Sequence, residues 1–141
     1  MRPGPRGALR AAAAAALLAG APAAAESPQV LYLLHCQGCH LADGSGKAGA
    51  VPPLGPGLAI FPYDAGGRAY LVQVPGSAHS PLSDAELAAV LNWMVATFGP
   101  PEAAARLVPY HAEEVARYRA TPLVDVSAAR AGLLREIGSD R

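Results

Sequence analysis

Two cysteines and a histidine stand close together in the segment Cys36-Gln37-Gly38-Cys39-His40, and the chain has no other cysteine. This is the C-x-x-C-H pattern of covalent haem attachment. Thiols at this spacing can each add to one of the two vinyl groups of a porphyrin, and the histidine that follows can bind the iron through an imidazole nitrogen. The pattern therefore predicts that Cys36 and Cys39 hold a haem c and that His40 is an axial ligand of its iron.

Other chemistries also use a C-x-x-C pair. Thiol–disulfide redox motifs and zinc sites both contain it. Zinc needs two further ligands, but the remaining histidines, His35, His79 and His111, are scattered along the chain. A thioredoxin-like motif is expected beside a βαβ pattern, and the sequence shows none. Haem attachment is the favoured interpretation.

The N-terminal segment has the layout of an export signal. Arg2, Arg6 and Arg10 precede an apolar run from Ala11 to Leu18, and alanines 23–25 offer a small-residue cleavage site. A membrane anchor is the alternative, but the apolar run is too short to span a bilayer. We predict that residues 1–25 are a cleaved signal peptide and that the mature protein is periplasmic, where bacterial haem c is attached.

Composition limits the remaining functions. The full chain has 11 basic and 11 acidic residues. Loss of the three signal arginines leaves a mildly acidic protein, which argues against nucleic-acid binding. Removal of the signal leaves about 116 residues, enough for one small domain. No mature segment is long and apolar enough to cross a membrane, and a buried haem would help so small a chain to form a core.

The first half of the mature chain predicts one helix and several irregular segments. Gln29–His35 is apolar and contains good helix formers, so it predicts a short helix that leads into the C-x-x-C-H segment. Residues 41–47 predict a loop because they are rich in Gly, Ser and Asp. Residues 51–62 contain four prolines and predict an irregular wrapping segment, in which Pro52 or Pro53 could shape the haem pocket. Residues 68–74 fit a strand or a short helix.

The clearest element is a helix that starts after Ser83. Ser83 is a suitable N-cap and Glu86 stands three residues later, as in a capping box. Gly99 and two prolines end the helix. Its apolar positions recur at helical spacing and are Leu87, Val90, Leu91, Met94, Val95 and Phe98.

Residues 101–141 form a C-terminal extension with two further predicted helices. The first covers Ala112–Ala120, and the second starts after the capping residue Asp125 and stops at Gly138. The extension either packs on the preceding domain or holds a partner protein. Packing is the favoured interpretation.

With these pieces placed, the chain resembles the class I (mono-haem) cytochrome c family over about residues 28–98. The matching segments are Leu31-Tyr32, Cys36-Gln37-Gly38-Cys39-His40, Asp43-Gly44-Ser45-Gly46, Val51-Pro52-Pro53-Leu54, Leu82-Ser83-Asp84-Ala85-Glu86-Leu87 and Asn92-Trp93-Met94. The resemblance implies a small all-α, cytochrome c-like helical domain over residues 26–100 around one covalent haem, followed by a helical C-terminal extension over residues 101–141. It also implies that Cys36 and Cys39 form thioethers, that His40 is the proximal ligand, and that Trp93 packs on the first helix.

The sixth ligand of the iron departs from the family's pattern. The family usually has a methionine in the loop before the last core helix, but residues 76–81 contain none. Met94 is the mature chain's only methionine and lies inside the helix; His79 lies in the loop. We predict Met94 as the ligand, with His79 or an open position as alternatives. Arg68, or Tyr70 through its hydroxyl, is predicted to pair with a haem propionate.

The resulting prediction is a periplasmic carrier of single electrons, not an enzyme. Its partners would be redox proteins, with a periplasmic dehydrogenase as donor and another cytochrome or an oxidase as acceptor. The alternative is a haem protein with an open sixth position that binds small ligands, senses them or acts as a weak peroxidase. A third interpretation is a subunit that its C-terminal helices hold in a dehydrogenase complex.

Overall fold

The fold is all-α, as predicted. The computed structural model describes residues 25–139, and within that range the only sheet-like pairing is an isolated bridge between Lys47 and Val51. The predicted signal peptide, residues 1–25, lies outside the described residues except for Ala25. The helices are α1 Pro28–His35, α2 Gln37–His40, α3 Leu54–Leu58, α4 Ala65–Gln73, α5 Pro75–Ala78, α6 Asp84–Phe98, α7 Ala103–Arg106, α8 Ala112–Arg119 and α9 Val126–Ser139, with a 3₁₀ helix at Phe61–Tyr63.

Helix α1 begins and ends for local reasons. The Ser27 side chain accepts a hydrogen bond from the Val30 amide at 3.3 Å, and Pro28 stands in the first turn, where its missing N–H needs no partner. Leu31 and Tyr32 are the buried residues of this helix. The helix ends at His35, so it leads directly into the C-x-x-C-H segment.

Helix α6 confirms the predicted capping box. The Ser83 hydroxyl accepts from the Glu86 amide at 3.3 Å, while the Glu86 carboxylate accepts from the Ser83 amide at 2.8 Å. The helix ends at Phe98 and is followed by Gly99, where a Cβ atom would collide with the Val95 carbonyl. Its buried residues are Leu87, Ala88, Val90, Leu91, Met94 and Val95.

Aromatic rings join α1 to α6. The Tyr32 ring centroid lies 5.2 Å from those of both Trp93 and Phe98. The Tyr32 hydroxyl donates to the Leu41 carbonyl at 2.6 Å, which also ties α1 to the residue after α2. The predicted packing of Trp93 on the first helix is confirmed.

Two segments between these helices are more regular than the sequence suggested. Residues 51–62 were predicted to be irregular, but they contain α3 and the start of the 3₁₀ helix; Pro56 fits because it lies in the first turn of α3. Residues 68–74, which fitted strand or helix, belong to α4 except for Val74. Asp64 caps α4 by accepting from the Gly67 amide at 2.8 Å.

The C-terminal extension packs on the rest of the chain, as predicted. Tyr110 and Val115 are buried in the main apolar cluster, and Asn92 of α6 makes two hydrogen bonds to the Tyr110 backbone, at 2.8 and 3.0 Å. Leu133 of α9 is buried in a second cluster with Phe61 and Tyr70. Within residues 25–139, no helix has the length and apolarity needed to cross a bilayer.

Candidate haem site

A cavity of about 290 Å³ brings the attachment residues together with the apolar faces of several helices. Cys36, Cys39 and His40 all line it, on one wall. The other walls are mostly aliphatic and aromatic, which suits a flat apolar ring system. The apolar side chains of these walls are Val51, Leu54, Leu58, Phe61, Leu71, Val74, Leu82, Leu87, Val90, Leu91, Met94 and Val126.

One helical turn sets the relative positions of the two cysteines. The amides of Cys39 and His40 donate to the Cys36 carbonyl at 3.2 and 3.0 Å. Cys36 is half-buried and Cys39 is exposed. Burial, and secondarily the neighbouring Cys39, raise the pKa of the Cys36 thiol.

The surroundings of His40 favour the neutral imidazole, which is the form that binds iron. Burial lowers its pKa, which favours the neutral ring. Its Nδ1 is buried and has no hydrogen-bond partner within residues 25–139. A buried nitrogen without a hydrogen-bond partner costs free energy, so its presence needs an explanation. Binding of a metal by the imidazole ring is one such explanation. The residues of this wall therefore fit a haem iron.

The loop after His40 returns the chain to the same cavity. Gly44 and Gly46 have φ angles of 72° and 70°, which non-glycine residues rarely adopt, and a Cβ on Gly46 would collide with the Val51 carbonyl. The Gly46 amide donates to the His40 carbonyl at 3.1 Å. The tight loop brings Pro52 and Pro53 to the cavity, which both line.

The candidates for the sixth ligand occupy different environments. Met94 is only 7% exposed and lines the cavity from α6. His79 is exposed and does not line the cavity, although its neighbours Ser77 and Ser80 do. His35 lines the cavity but is exposed at the end of α1, and the exposed His111 stands just before α8.

Arg68, which was predicted to pair with a haem propionate, makes contacts with the C-terminal extension. It does not line the cavity. Its Nε and Nη2 donate to the two carboxylate oxygens of Glu114 at 2.7 and 2.6 Å, and Nη1 donates to the Val108 carbonyl at 2.8 Å. Its guanidinium carbon lies 4.0 Å from the centroid of the Tyr110 ring. Arg68 thus joins α4 to the C-terminal extension.

A different arginine, which the sequence analysis did not single out, reaches the cavity. Arg130 of α9 is among the lining residues, as is Tyr70, the other predicted propionate partner. The sequence signal was its spacing, because Arg130 stands four residues after Val126 and three before Leu133. The sequence analysis interpreted this extension only as packing on the preceding domain.

Comparisons with known proteins show which chains this sequence resembles. No protein-family model matches the chain. The chain is similar to a cytochrome c-552 of Thermus thermophilus, with 34% identity over 125 residues, which cover 76% of this chain and 84% of the relative. A second cytochrome c-552 of Thermus thermophilus is 35% identical over 106 residues, which cover 62% of this chain and 81% of the relative.

The first comparison also reveals a difference in length. The match extends over 125 positions but includes only 76% of the 141 residues of this chain. The relative therefore contains residues within the matched region that this chain lacks.

Proposed function

Because the chain belongs to the c-type cytochromes, which bind haem c and its iron covalently, we propose that it carries single electrons in the periplasm. In this proposal it accepts an electron from a dehydrogenase and passes it to another cytochrome or an oxidase. The observation that carries the proposal is the meeting of Cys36, Cys39 and His40 at one wall of an apolar cavity.

The chain's residues have distinct tasks in such a carrier. The bound iron supplies the one-electron step between its ferrous and ferric states. Cys36 and Cys39 would hold the ring by thioether bonds, and the His40 imidazole would bind the iron. The aliphatic walls exclude water, which lowers the local dielectric constant and limits rearrangement around the metal.

Three exposed leucines, which stand close to the attachment segment in sequence, support transient docking. Leu34 is 66% exposed and Leu33 48% exposed on α1, and Leu41, directly after His40, is 39% exposed. The exposed Cys39 lies between them in sequence. Electron-transfer partners bury little surface and dissociate quickly, so a small apolar face suffices. We propose this face as the place where partners approach the haem.

Localisation and electron transfer are tested together. The full-length gene is expressed in bacteria competent in cytochrome maturation, and the periplasmic and cytoplasmic fractions are compared. The proposal predicts coloured protein in the periplasm that lacks residues 1–25 and shows a reversible one-electron wave in voltammetry. Retention of the coloured protein in the cytoplasm would refute the proposed location. An irreversible wave would refute the proposed carrier role.

A second candidate function is that of a haem protein with an open sixth position, and the choice depends on which side chains near the cavity could bind the iron. The connection between α4 and α6 contributes only the hydroxyls of Ser77 and Ser80 as polar side chains, and neither is a strong ligand for haem iron. We propose Met94 as the sixth ligand of the carrier. Without that bond the sixth position would be open, and the protein would bind small ligands or peroxide instead.

A further inference from the structure

The geometry points to Arg130 as the cation that pairs with a haem propionate, so that the C-terminal extension completes the haem site. This inference rests on the presence of haem c in the cavity and not on the proposed electron-carrier role. It assigns to α9 a binding function in addition to packing.

The need for such a cation comes from the chemistry of the cofactor. Haem has two propionate carboxylates, and a carboxylate that loses contact with water must be compensated by charge or by hydrogen bonds. Among the residues that line the cavity, Arg130 is the only one with a permanent charge; the lining contains no lysine, aspartate or glutamate. Arg68, the predicted partner, already holds the Glu114 carboxylate.

The surroundings of Arg130 place its guanidinium at the cavity wall. The guanidinium carbon lies 5.1 Å from the centroid of the Phe61 ring. Its Nη1 would lie 3.8 Å from a Cβ built on Gly57 of α3, and both Gly57 and Phe61 line the cavity. Arg130 is half-buried, so its charge is partly screened from solvent.

The guanidinium of Arg130 also has N–H donors that bind no other group among the described residues. The ion pairs within residues 25–139 are Arg68–Glu114 and Arg119–Asp84, and neither includes Arg130. In that range its guanidinium contacts the face of Phe61 but makes no hydrogen bond or ion pair, although guanidinium has five N–H donors. A planar guanidinium can donate two parallel hydrogen bonds to the two oxygens of a carboxylate.

Helix α9 is fixed on both sides of Arg130. Val126, one turn earlier, lines the cavity, and Leu133, one turn later, is buried with Phe61 and Tyr70. The Leu123 amide donates to the Gln73 carbonyl at 2.9 Å, which ties the preceding segment to α4. Arg130 is therefore held at the wall by packing on both flanks and does not reach it through a mobile tail.

The test uses the exported haem-containing protein and compares two variants that each lose one positive charge. Arg130→Gln is compared with Arg135→Gln, because Arg135 is an exposed residue of the same helix that does not line the cavity. Arg130→Lys keeps the charge. The midpoint reduction potential is measured as a function of pH by spectroelectrochemistry, and the haemochrome spectrum of each variant checks covalent attachment independently.

A nearby cation stabilises both the ionised propionate and the ferrous iron. We expect Arg130→Gln to lower the potential and to move the pH-dependent step upward by at least about one pH unit. Arg130→Lys should retain most of the wild-type behaviour, and Arg135→Gln should leave the step unchanged. Identical curves for Arg130→Gln and Arg135→Gln would overturn the inference, as would lower thermal stability of Arg130→Gln with an unchanged curve. Covalent haem in all variants would leave the cofactor assignment intact in either case.

Discussion

Arg119 of α8 holds the backbone of Ser80 at the wall of the haem cavity. Its Nη2 donates to the Ser80 carbonyl at 2.7 Å, and its Nη1 donates to the Leu82 carbonyl at 2.8 Å and to the Asp84 carboxylate at 2.9 Å. Ser80 and Leu82 both line the cavity. One side chain of the C-terminal extension therefore orders the connection that leads into α6.

The first prediction concerns the stability that Arg119 provides. Arg119→Ala leaves several carbonyls and the Asp84 carboxylate without their donor, so we expect the free energy of unfolding to fall by about 2–4 kcal/mol. Denaturant titration followed by circular dichroism measures this change. Arg117→Ala is the control because Arg117 is exposed on the same helix, with its guanidinium 6.0 Å from the Tyr118 ring. Equal losses in both variants would show that Arg119 does not have this role.

The second prediction concerns Met94 and the sixth coordination position. If its sulfur binds the iron, the ferric protein has a sulfur-to-iron charge-transfer band in the far red, and Met94→Ala abolishes the band and lowers the reduction potential. Met94→Leu is the matched variant, because it removes the sulfur but retains about the same side-chain volume and so leaves no large cavity. A wild-type protein that is high-spin and binds carbon monoxide rapidly would refute methionine ligation and support the open site.

The third prediction separates the two arginines that compete for the propionate role. Arg68→Gln removes the bidentate pair with Glu114, whose side chain is only 16% exposed, so we expect a loss of about 2–4 kcal/mol in stability. The dependence of the reduction potential on pH should not change, because Arg68 does not line the cavity. A double-mutant cycle with Glu114→Gln measures the coupling. A shifted potential–pH curve in Arg68→Gln would contradict this expectation and support Arg68 as the propionate partner.

The fourth prediction concerns acid stability. Hydrogen bonds from Ser83 lower the pKa of Glu86 in the folded protein. A carboxyl group with a lowered pKa stabilises the fold at pH values above its unfolded pKa, and this contribution is lost as the pH falls through the folded pKa. The stability of the wild type should therefore decline in acid more steeply than that of Glu86→Gln. Parallel pH profiles of the two proteins, measured by thermal unfolding, would contradict this prediction.

Local patterns allowed much of the fold to be predicted. The N-cap Ser83, the stop at Gly99 and the spacing of apolar residues between them predicted α6, because helix capping and periodicity depend on near neighbours in sequence. Short-range geometry likewise explains the C-x-x-C-H segment, in which one helical turn joins Cys36 to His40. The irregular prediction for residues 51–62 was wrong because Pro56 lies in the first turn of α3, where it does not interrupt the helix.

Long-range electrostatics could not be predicted from the sequence. Arg68 and Glu114 are 46 positions apart, and no local pattern shows that they meet. Arg130 was overlooked for a related reason: it lies on an otherwise apolar helix face, and only tertiary packing reveals that this face borders the cavity. A single sequence states which side chains are charged, but the fold decides which charges share a site.

The central claim is that Cys36 and Cys39 attach one haem whose iron is bound by His40. Its most direct test is the intact mass of the exported protein from cells with cytochrome maturation, together with its pyridine haemochrome spectrum. The account predicts the mass of the processed chain plus one haem and the spectrum of a haem with two thioether bonds, both lost in Cys36→Ser/Cys39→Ser. A colourless protein at the mass of the processed polypeptide alone would contradict it.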